Sequence, residues 1–220
     1  MSILIKNFLI DNHFLISLSL SAVLFLLIRL VKTINLLTVL KFLLAYNFLS
    51  YFFILNFEDI FNPKDHLPLH LCYLTEFLIL ISFITKSNRL YPLLILNSFG
   101  GGITGFTNLN LDVNSHLIEF HHFYLSHFNI LFFSLIQYKN RYILNRIELI
   151  KAYFFNATIF ASIILLNIFF NTNYWFTNYK PVGKNLTIFL PEWPYYLIIL
   201  IMIGIISYFI TFKLFSKNNR

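Results

Sequence analysis

The stretch LIEFHHFYLSHFNILFFSLIQY, residues 117–138, is long and apolar enough to cross a bilayer but carries several polar side chains. About 20 apolar residues span the hydrocarbon core of a membrane. This run nevertheless contains Glu119, His122, Ser126 and His127. Ionisable groups in hydrocarbon cost at least a few kcal/mol each. We therefore expect these side chains to face a protein interior or a watery cavity, where they indicate a functional site.

The rest of the chain predicts a membrane scaffold around this stretch. Hydrophobic residues make up 58% of the chain and charged residues 11%, whereas about a quarter of the residues in a soluble domain are charged. Seven apolar runs have a suitable length, roughly at residues 14–30, 34–55, 67–85, 90–107, 117–138, 148–170 and 193–215. The sequence thus predicts an all-α, polytopic membrane helical bundle with seven transmembrane helices. No linker or repeat divides residues 1–220, so we expect one integral membrane domain.

The placement of Lys and Arg predicts the orientation of the chain. Cytoplasmic loops of membrane proteins carry an excess of these residues. One side of the predicted bundle holds most of the 16 basic residues, such as Arg29, Lys86, Arg141 and Lys213, and the other side holds Lys6, Lys64, Lys180 and Lys184. We expect the amino terminus outside and the carboxyl terminus in the cytoplasm of a multi-pass cell-membrane protein.

The formal charge of +7 is scattered over short loops and helix ends. Anionic headgroups neutralise charges at such places. No compact basic surface with interleaved aromatic residues is apparent, which is the pattern typical of nucleic-acid binding. We therefore expect membrane lipids as partners and no nucleic acid, while the oligomeric state stays open.

Cys72 is the only cysteine, which excludes an intramolecular disulfide and a CxxC redox or metal pair. In the segment LPLHLCYLTE, residues 67–76, Cys72 and Glu76 lie one helical turn apart and share a face. On a regular helix His70 points about 160° away from Cys72, so it is not expected to act as the base for the thiol. A lone thiol is either a small packing residue or a nucleophile.

The fifth run supplies better partners for the thiol, because Glu119, His122, Ser126 and His127 fall on one broad polar face. At about 1.5 Å per residue, Cys72 reaches the same depth as His122 and His127. A Cys-His pair is then possible, in which imidazole helps to form the thiolate and later protonates a leaving group. Interhelical hydrogen bonds explain the histidines equally well. A zinc site of Cys72 with two histidines is a third interpretation, without a recognised spacing, and no metal or cofactor is expected.

The fourth run contains four of the six glycines, in the segment NSFGGGITG at residues 97–105. Small residues allow close contact between helix backbones. This contact, or a local kink, is the favoured interpretation. The alternative is an opened turn at Gly100–Gly102 whose amides stabilise an oxyanion.

Four motifs follow one another along the chain: LPLHLC at residues 67–72, FYLSH at 123–127, TNY at 172–174 with KP at 180–181, and EWPYY at 192–196. This series resembles the signatures of the YwaF-like bacterial integral-membrane proteins and covers about residues 60–200. The eukaryotic relatives of that family are regarded as phospholipid acyltransferases, distantly related to androgen-induced membrane hydrolases. The resemblance implies a catalytic pair of the Cys in the LHLC-like motif and the His in the SH motif, here Cys72 and His127.

We therefore expect a membrane-embedded enzyme that transfers lipid acyl chains on the outer-leaflet side. Cys72 would attack an acyl carbonyl, and His127 would act first as base and then as acid. The expected supporting or substrate-binding residues are His70, Glu76, Glu119, His122, Ser126, Asn173, Tyr174 and Lys180. Lys180 and Lys184 are candidates for contacting a lipid phosphate. A lipid or small-ligand transporter or binding protein is the alternative, and a structural membrane protein is third. Transfer versus hydrolysis, headgroup and acyl donor stay open.

Overall fold

The computed structural model describes residues 2–183 and 185–216, and within them the protein is all-α. Its eight α-helices are α1 (Ser2–Asp11), α2 (His13–Leu30), α3 (Thr33–Phe57), α4 (Leu71–Ile84), α5 (Tyr91–Thr107), α6 (Leu117–Lys139), α7 (Arg146–Phe170) and α8 (Tyr195–Phe215). Two short 3₁₀ helices, Tyr174–Phe176 and Leu186–Phe189, lie between α7 and α8. Lys184, a candidate for phosphate contact, lies outside the described residues.

Four helices, α2, α3, α7 and α8, are long and apolar enough to cross a membrane. Their outward faces carry large apolar side chains, and Phe154 and Phe169 are 72% and 79% exposed. A soluble protein rarely exposes so continuous an apolar surface, but lipid tails cover it without cost. The chain is therefore a multi-pass membrane protein.

Helix α6 occupies the centre of the bundle, in contact with α2, α3, α4 and α5. It is buried along most of its length, and Ile130, Phe132, Phe133 and Ile136 on this helix are fully shielded. This position explains how a helix of a membrane protein carries so many polar groups. Its side chains face neighbouring helices, where hydrogen-bond partners are present, and not lipid.

The helix bounds agree with the predicted runs within about two residues for α2, α3 and α5 to α8, which is the ordinary uncertainty of helix ends. The predicted start of the third run at Leu67 is wrong, because α4 begins only at Leu71. Pro68 has no backbone N–H and disfavours helical backbone in the residue before it. The chain turns tightly instead, with the Leu69 amide donating to the Leu67 carbonyl at 2.7 Å. Helix α1 was not predicted.

Three loops meet at one end of the bundle. This loop cluster consists of residues 58–70 between α3 and α4, 108–116 between α5 and α6, and 171–183 with 185–194 between α7 and α8. The Tyr174 hydroxyl donates to the Pro63 carbonyl at 2.7 Å, and the Leu186 amide donates to Asn108 Oδ1 at 2.9 Å. These bonds tie the three loops together above the first turn of α4.

The glycines of α5 allow close approach of neighbouring helices. A Cβ on Gly102 would lie 2.6 Å from Leu131 Cβ of α6, and one on Gly100 would lie 1.8 Å from Ser207 Oγ of α8. Helix α5 runs without interruption from Tyr91 to Thr107. The structure therefore confirms the helix-contact interpretation, and the opened turn at Gly100–Gly102 is absent from this helix.

Candidate functional site

Cys72 is the second residue of α4 and lies in its first turn. Its Sγ lies 4.0 Å from the Gly101 carbonyl oxygen of α5, a distance at which the S–H donates a weak hydrogen bond. A Cβ on Gly101 would lie 3.3 Å from this sulfur. The thiol thus packs directly against the α5 backbone, where glycine leaves room for it.

The imidazole of His127 has a defined orientation. Its Nδ1 lies 2.7 Å from the carbonyl oxygen of Phe123, one turn earlier on α6. A carbonyl only accepts, so Nδ1 carries the hydrogen and Nε2 of the neutral ring keeps its lone pair. A Cβ on Gly105 would lie 2.4 Å from Nε2 and 1.9 Å from Cδ2. The ring therefore fills the space that the missing side chain of Gly105 leaves.

Cys72 and His127 meet the same face of α5. The two glycines that they contact, Gly101 and Gly105, are four residues apart. Side-chain positions with this spacing lie about 5–6 Å from each other on one face of a helix. The thiol and the imidazole thus lie side by side along α5, with His127 one turn nearer to the loop cluster. Tyr73, next to Cys72, has its ring centroid 6.5 Å from that of His127. Both residues singled out by the sequence therefore contact α5, at glycines one helical turn apart.

Glu76 lies at the centre of a fully buried hydrogen-bond network. Asn47 Nδ2 of α3 donates to both of its carboxylate oxygens, at 2.9 and 3.1 Å. Ser126 Oγ and Asn129 Nδ2 of α6 donate to it at 2.6 and 2.7 Å. Three donor groups therefore make four hydrogen bonds to one carboxylate, which cross-links α3, α4 and α6 one turn below Cys72.

His122 belongs to this network and not to the thiol. Its Nδ1 lies 3.1 Å from Asn47 Oδ1, and because Asn47 Nδ2 is directed to Glu76, the imidazole donates and the amide oxygen accepts. The ring stacks on Tyr51 with centroids 3.9 Å apart and lies 4.3 Å from the ring of Tyr73. His122 is thus held between α3 and α4 as part of the packing.

Glu119 is separate from the polar face that the sequence predicted for it. Its carboxylate accepts from the backbone amide of His116 and so caps the first turn of α6. It also lies 3.6 Å from His66 Nε2 in the loop cluster. Glu119 therefore anchors the start of α6, while Ser126 and His122 join the Glu76 network and His127 packs against α5. No group of three His, Cys, Asp or Glu side chains suited to a metal occurs among the described residues.

His70 faces the loop cluster. It is the residue before α4, in extended conformation, so its orientation does not follow from a helical wheel that includes Cys72. The Trp175 amide donates to its Nδ1 at 3.4 Å, and its ring lies 5.0 Å from the rings of both Tyr174 and Phe176. His70 thereby connects the start of α4 to the loop between α7 and α8.

The remaining predicted residues organise that same loop. Asn173 Oδ1 accepts from the amides of Asn178 and Tyr179. Lys180 donates to the Leu190 carbonyl at 2.8 Å and pairs with Glu192 at 2.7 Å, so its charge is engaged within the loop. Burial raises the pKa of the Tyr174 hydroxyl to about 12, so this group keeps its proton and its bond to Pro63 at any physiological pH.

Sequence reasoning missed two residues on which this geometry depends. Asn47 bonds to both His122 and Glu76, and the sequence showed it only as one of three asparagines in the apolar helix α3. Gly105 leaves the space for His127, but the sequence showed it only as one of several clustered glycines. Both are identified by a contact with a residue far away in the chain.

Removing the Glu76 carboxylate is expected to destabilise the fold. Glu76→Ala leaves buried donors of Asn47, Ser126 and Asn129 without an acceptor, at a cost of about 3 kcal/mol or more in the free energy of unfolding. Glu58→Ala, at an exposed carboxylate, is the matched control and should stay within about 0.5 kcal/mol of wild type. Unfolding of the detergent-purified variants measures both effects. Equal stability of the two variants would contradict the cross-linking role of Glu76.

The sequence of the chain matches one known protein family. Residues 8–212, from the end of α1 through most of α8, match the TMEM164 family. The chain belongs to the TMEM164 family. No curated protein and no solved structure matches it. The resemblance inferred from the sequence is thereby confirmed at the level of a membrane-protein family, while the narrower relationship to YwaF-like proteins and acyltransferases stays a prediction.

Proposed function

We propose that this TMEM164 family member is a lipid acyl-transfer enzyme of the cell membrane that uses Cys72 as nucleophile and His127 as base. The observation that supports it most strongly is the shared position of the two side chains on one face of α5. The bond from His127 Nδ1 to Phe123 adds support, because it leaves Nε2 free to accept a proton.

The first half of the reaction forms a thioester. A thiol in apolar surroundings stays protonated until a base removes its proton. His127 Nε2 takes that proton as Sγ attacks the ester carbonyl of a membrane lipid. The tetrahedral intermediate then expels the alcohol of the lipid, which receives the proton from His127. The acyl chain is left on Cys72, and the base is neutral again.

The second half discharges the thioester. A hydroxyl group attacks the thioester carbonyl and gives its proton to His127, and the departing Cys72 sulfur recovers that proton. A lipid alcohol as acceptor gives acyl transfer, whereas water gives hydrolysis. The same two side chains act in both steps, as is usual in Cys-His catalysis.

The first turn of α4 is suited to stabilise the oxyanion in both steps. Among the described residues, the amides of Leu71, Cys72 and Tyr73 have no hydrogen-bond acceptor, because the first intrahelical bond is that of Leu74 to His70. Free amides at a helix N-terminus stabilise negative charge. These amides take the role that the sequence suggested for Gly100–Gly102, whose helix is continuous.

The substrates proposed for this site are membrane lipids. The helices α7 and α8 expose apolar surface, and Cys72 lies in the first turn of α4, next to the loop cluster. A lipid therefore reaches the site with its tails in hydrocarbon and its ester near the first turn of α4. If the pair proves unreactive, the buried polar groups favour a ligand-binding or transport protein.

The acyl-transfer assay uses membranes from cells that express the protein, with a labelled acyl donor and an unlabelled lysophospholipid. Wild-type membranes are expected to move label into new phospholipid or free fatty acid, and membranes with Cys72→Ala are not. Insertion of the variant is checked by its abundance in the membrane fraction. Equal turnover in both membranes would reject covalent catalysis.

We also propose that α2 to α8 each cross the membrane, with the amino terminus outside. The distribution of basic residues between the two sides of the bundle supports this orientation. A reporter fused at Asp112, in the loop between α5 and α6, is expected to be active on the outer side. A reporter at Arg141, between α6 and α7, is expected to be cytoplasmic. The reverse pattern would contradict the orientation.

A further inference from the structure

His13, the first residue of α2, has one ring nitrogen without a partner. It is 9% exposed, and its Nδ1 lies 3.0 Å from the Tyr124 hydroxyl of α6. The single proton of that hydroxyl goes to the Leu9 carbonyl, so the phenol oxygen accepts from Nδ1–H. Nε2 of His13 is therefore a bare acceptor, and it is buried without a donor.

Ser17 provides a second unpartnered polar atom on the same face of α2. It is one turn from His13 and 3% exposed, and its hydroxyl makes no hydrogen bond. Two other serines of α2, Ser19 and Ser21, bond back to the carbonyls of Leu15 and Ser17. The hydroxyl of Ser17 makes no such bond, which is unusual because buried polar groups are rarely left unpaired.

The ring of His13 lies close to His127. The ring of Phe123 separates the histidines, with its centroid 6.0 Å from that of His13 and 4.4 Å from that of His127. His127 lies against Gly105 and Cys72 against Gly101, so the base lies one turn nearer to the loop cluster than the thiol. His13 is thus connected to the base through the single ring of Phe123.

We infer that His13 Nε2 and Ser17 Oγ bind a hydroxyl group of the acyl acceptor, an alcohol of the glycerol type. This inference rests on the proposed acyl transfer. The ring nitrogen only accepts, so its ligand must donate, and a neutral O–H suits this apolar cluster better than an ammonium, whose burial is costly. One hydroxyl of the acceptor is held here while another attacks the thioester with its proton passing to His127. The site thereby favours transfer over hydrolysis.

The test measures the two half-reactions separately in the purified full-length protein in nanodiscs. His13→Asn keeps a donor near the position of Nδ1 for Tyr124 but removes Nε2, and Ser17→Ala removes the hydroxyl. Both variants are expected to form the Cys72 thioester at the wild-type rate. Each should raise the KM for lysophosphatidylglycerol as acceptor by about tenfold, the loss of one hydrogen bond. Ser21→Ala, one turn further along α2, is the control and should keep the wild-type KM.

A second acceptor tests whether the bound hydroxyl is distinct from the attacking one. Lysophosphatidylethanolamine offers only the glycerol hydroxyl that attacks the thioester, so its KM should stay at the wild-type value in both variants, and an equal rise in KM with both acceptors would contradict a separately bound hydroxyl. Unchanged KM values in folded His13→Asn and Ser17→Ala would overturn the inference. A slowing of thioester formation as large as the loss in use of the acceptor would overturn it as well. Should His13→Asn fail to fold, Ser17→Ala carries the test. A wild-type protein that forms no thioester would overturn the proposed function itself.

Discussion

Replacing Cys72 by alanine is expected to reduce acyl turnover by on the order of 10³-fold or more. The substitution removes the nucleophile but little volume, so the variant should remain folded and membrane-inserted. Cys72→Ser is the more demanding variant, because it keeps a polar group of similar size in the first turn of α4. A hydroxyl holds its proton more tightly than a thiol, and we expect a lone imidazole to leave the serine nearly inactive.

The partner of the thiol is tested by His127→Ala, for which we expect a loss of about 10²- to 10⁴-fold. Residues that act as one unit give non-additive losses, so the double variant should be little worse than either single one. His121→Ala is the matched control, since this exposed histidine on the same helix contacts Tyr46 and not the thiol. Fully additive losses, or equal losses for His121 and His127, would contradict a catalytic pair.

Gly105→Ala is expected to reduce acyl turnover by about 10²-fold, because the new Cβ would overlap the imidazole of His127 at 1.9 Å. Moving that ring breaks its alignment with the thiol, and crowding at the helix contact costs about 1–3 kcal/mol in stability. Gly204→Ala on α8 is the control, since a Cβ there meets nothing within 4 Å. That variant should be as active as wild type and at least as stable, because alanine favours helix over glycine by about 1 kcal/mol.

The Gly105→Ala assay also separates geometry from stability. If a folded, membrane-inserted Gly105→Ala protein turned over acyl chains as fast as Gly204→Ala, the orientation of His127 would not matter for the reaction. Gly105→Ser would then be expected to behave in the same way. Such a result would leave the α5 contact as packing alone.

Most of the helices were predictable because the thickness of a bilayer sets the length of an apolar run, so length and apolarity are enough to find them. Helix α1 was not predicted because it has only ten residues, too few to span a bilayer. The start of α4 was missed because LPLH at residues 67–70 continues the apolar run, while Pro68 acts on the backbone, which hydropathy does not measure. Composition thus predicted the start of α4 at Leu67, whereas backbone geometry sets it at Leu71.

The candidate site was predictable only in part, for a related reason. Residue spacing placed Cys72 at the depth of both His122 and His127, because depth and helical phase follow from spacing, and the family resemblance implied the choice of His127. The spacing also placed Glu119 on the same polar face, but capping of α6 uses that carboxylate at the helix end. The roles of Asn47 and Gly105 depend on which helices are neighbours, and no periodicity within one helix reveals that. The unpaired atoms of His13 and Ser17 likewise become evident only when their surroundings are known.

The most direct measurement is the mass of the peptide that contains Cys72 after brief exposure of the purified protein to a lipid acyl donor. The account predicts an added acyl chain that hydroxylamine removes, because thioesters are cleaved by this nucleophile. The adduct should decline when an alcohol acceptor is added, and it should form slowly in His127→Ala. Since Cys72 is the only cysteine, no other thiol in the protein can carry the label. An unmodified Cys72 in a protein that still turns over acyl chains would contradict the account.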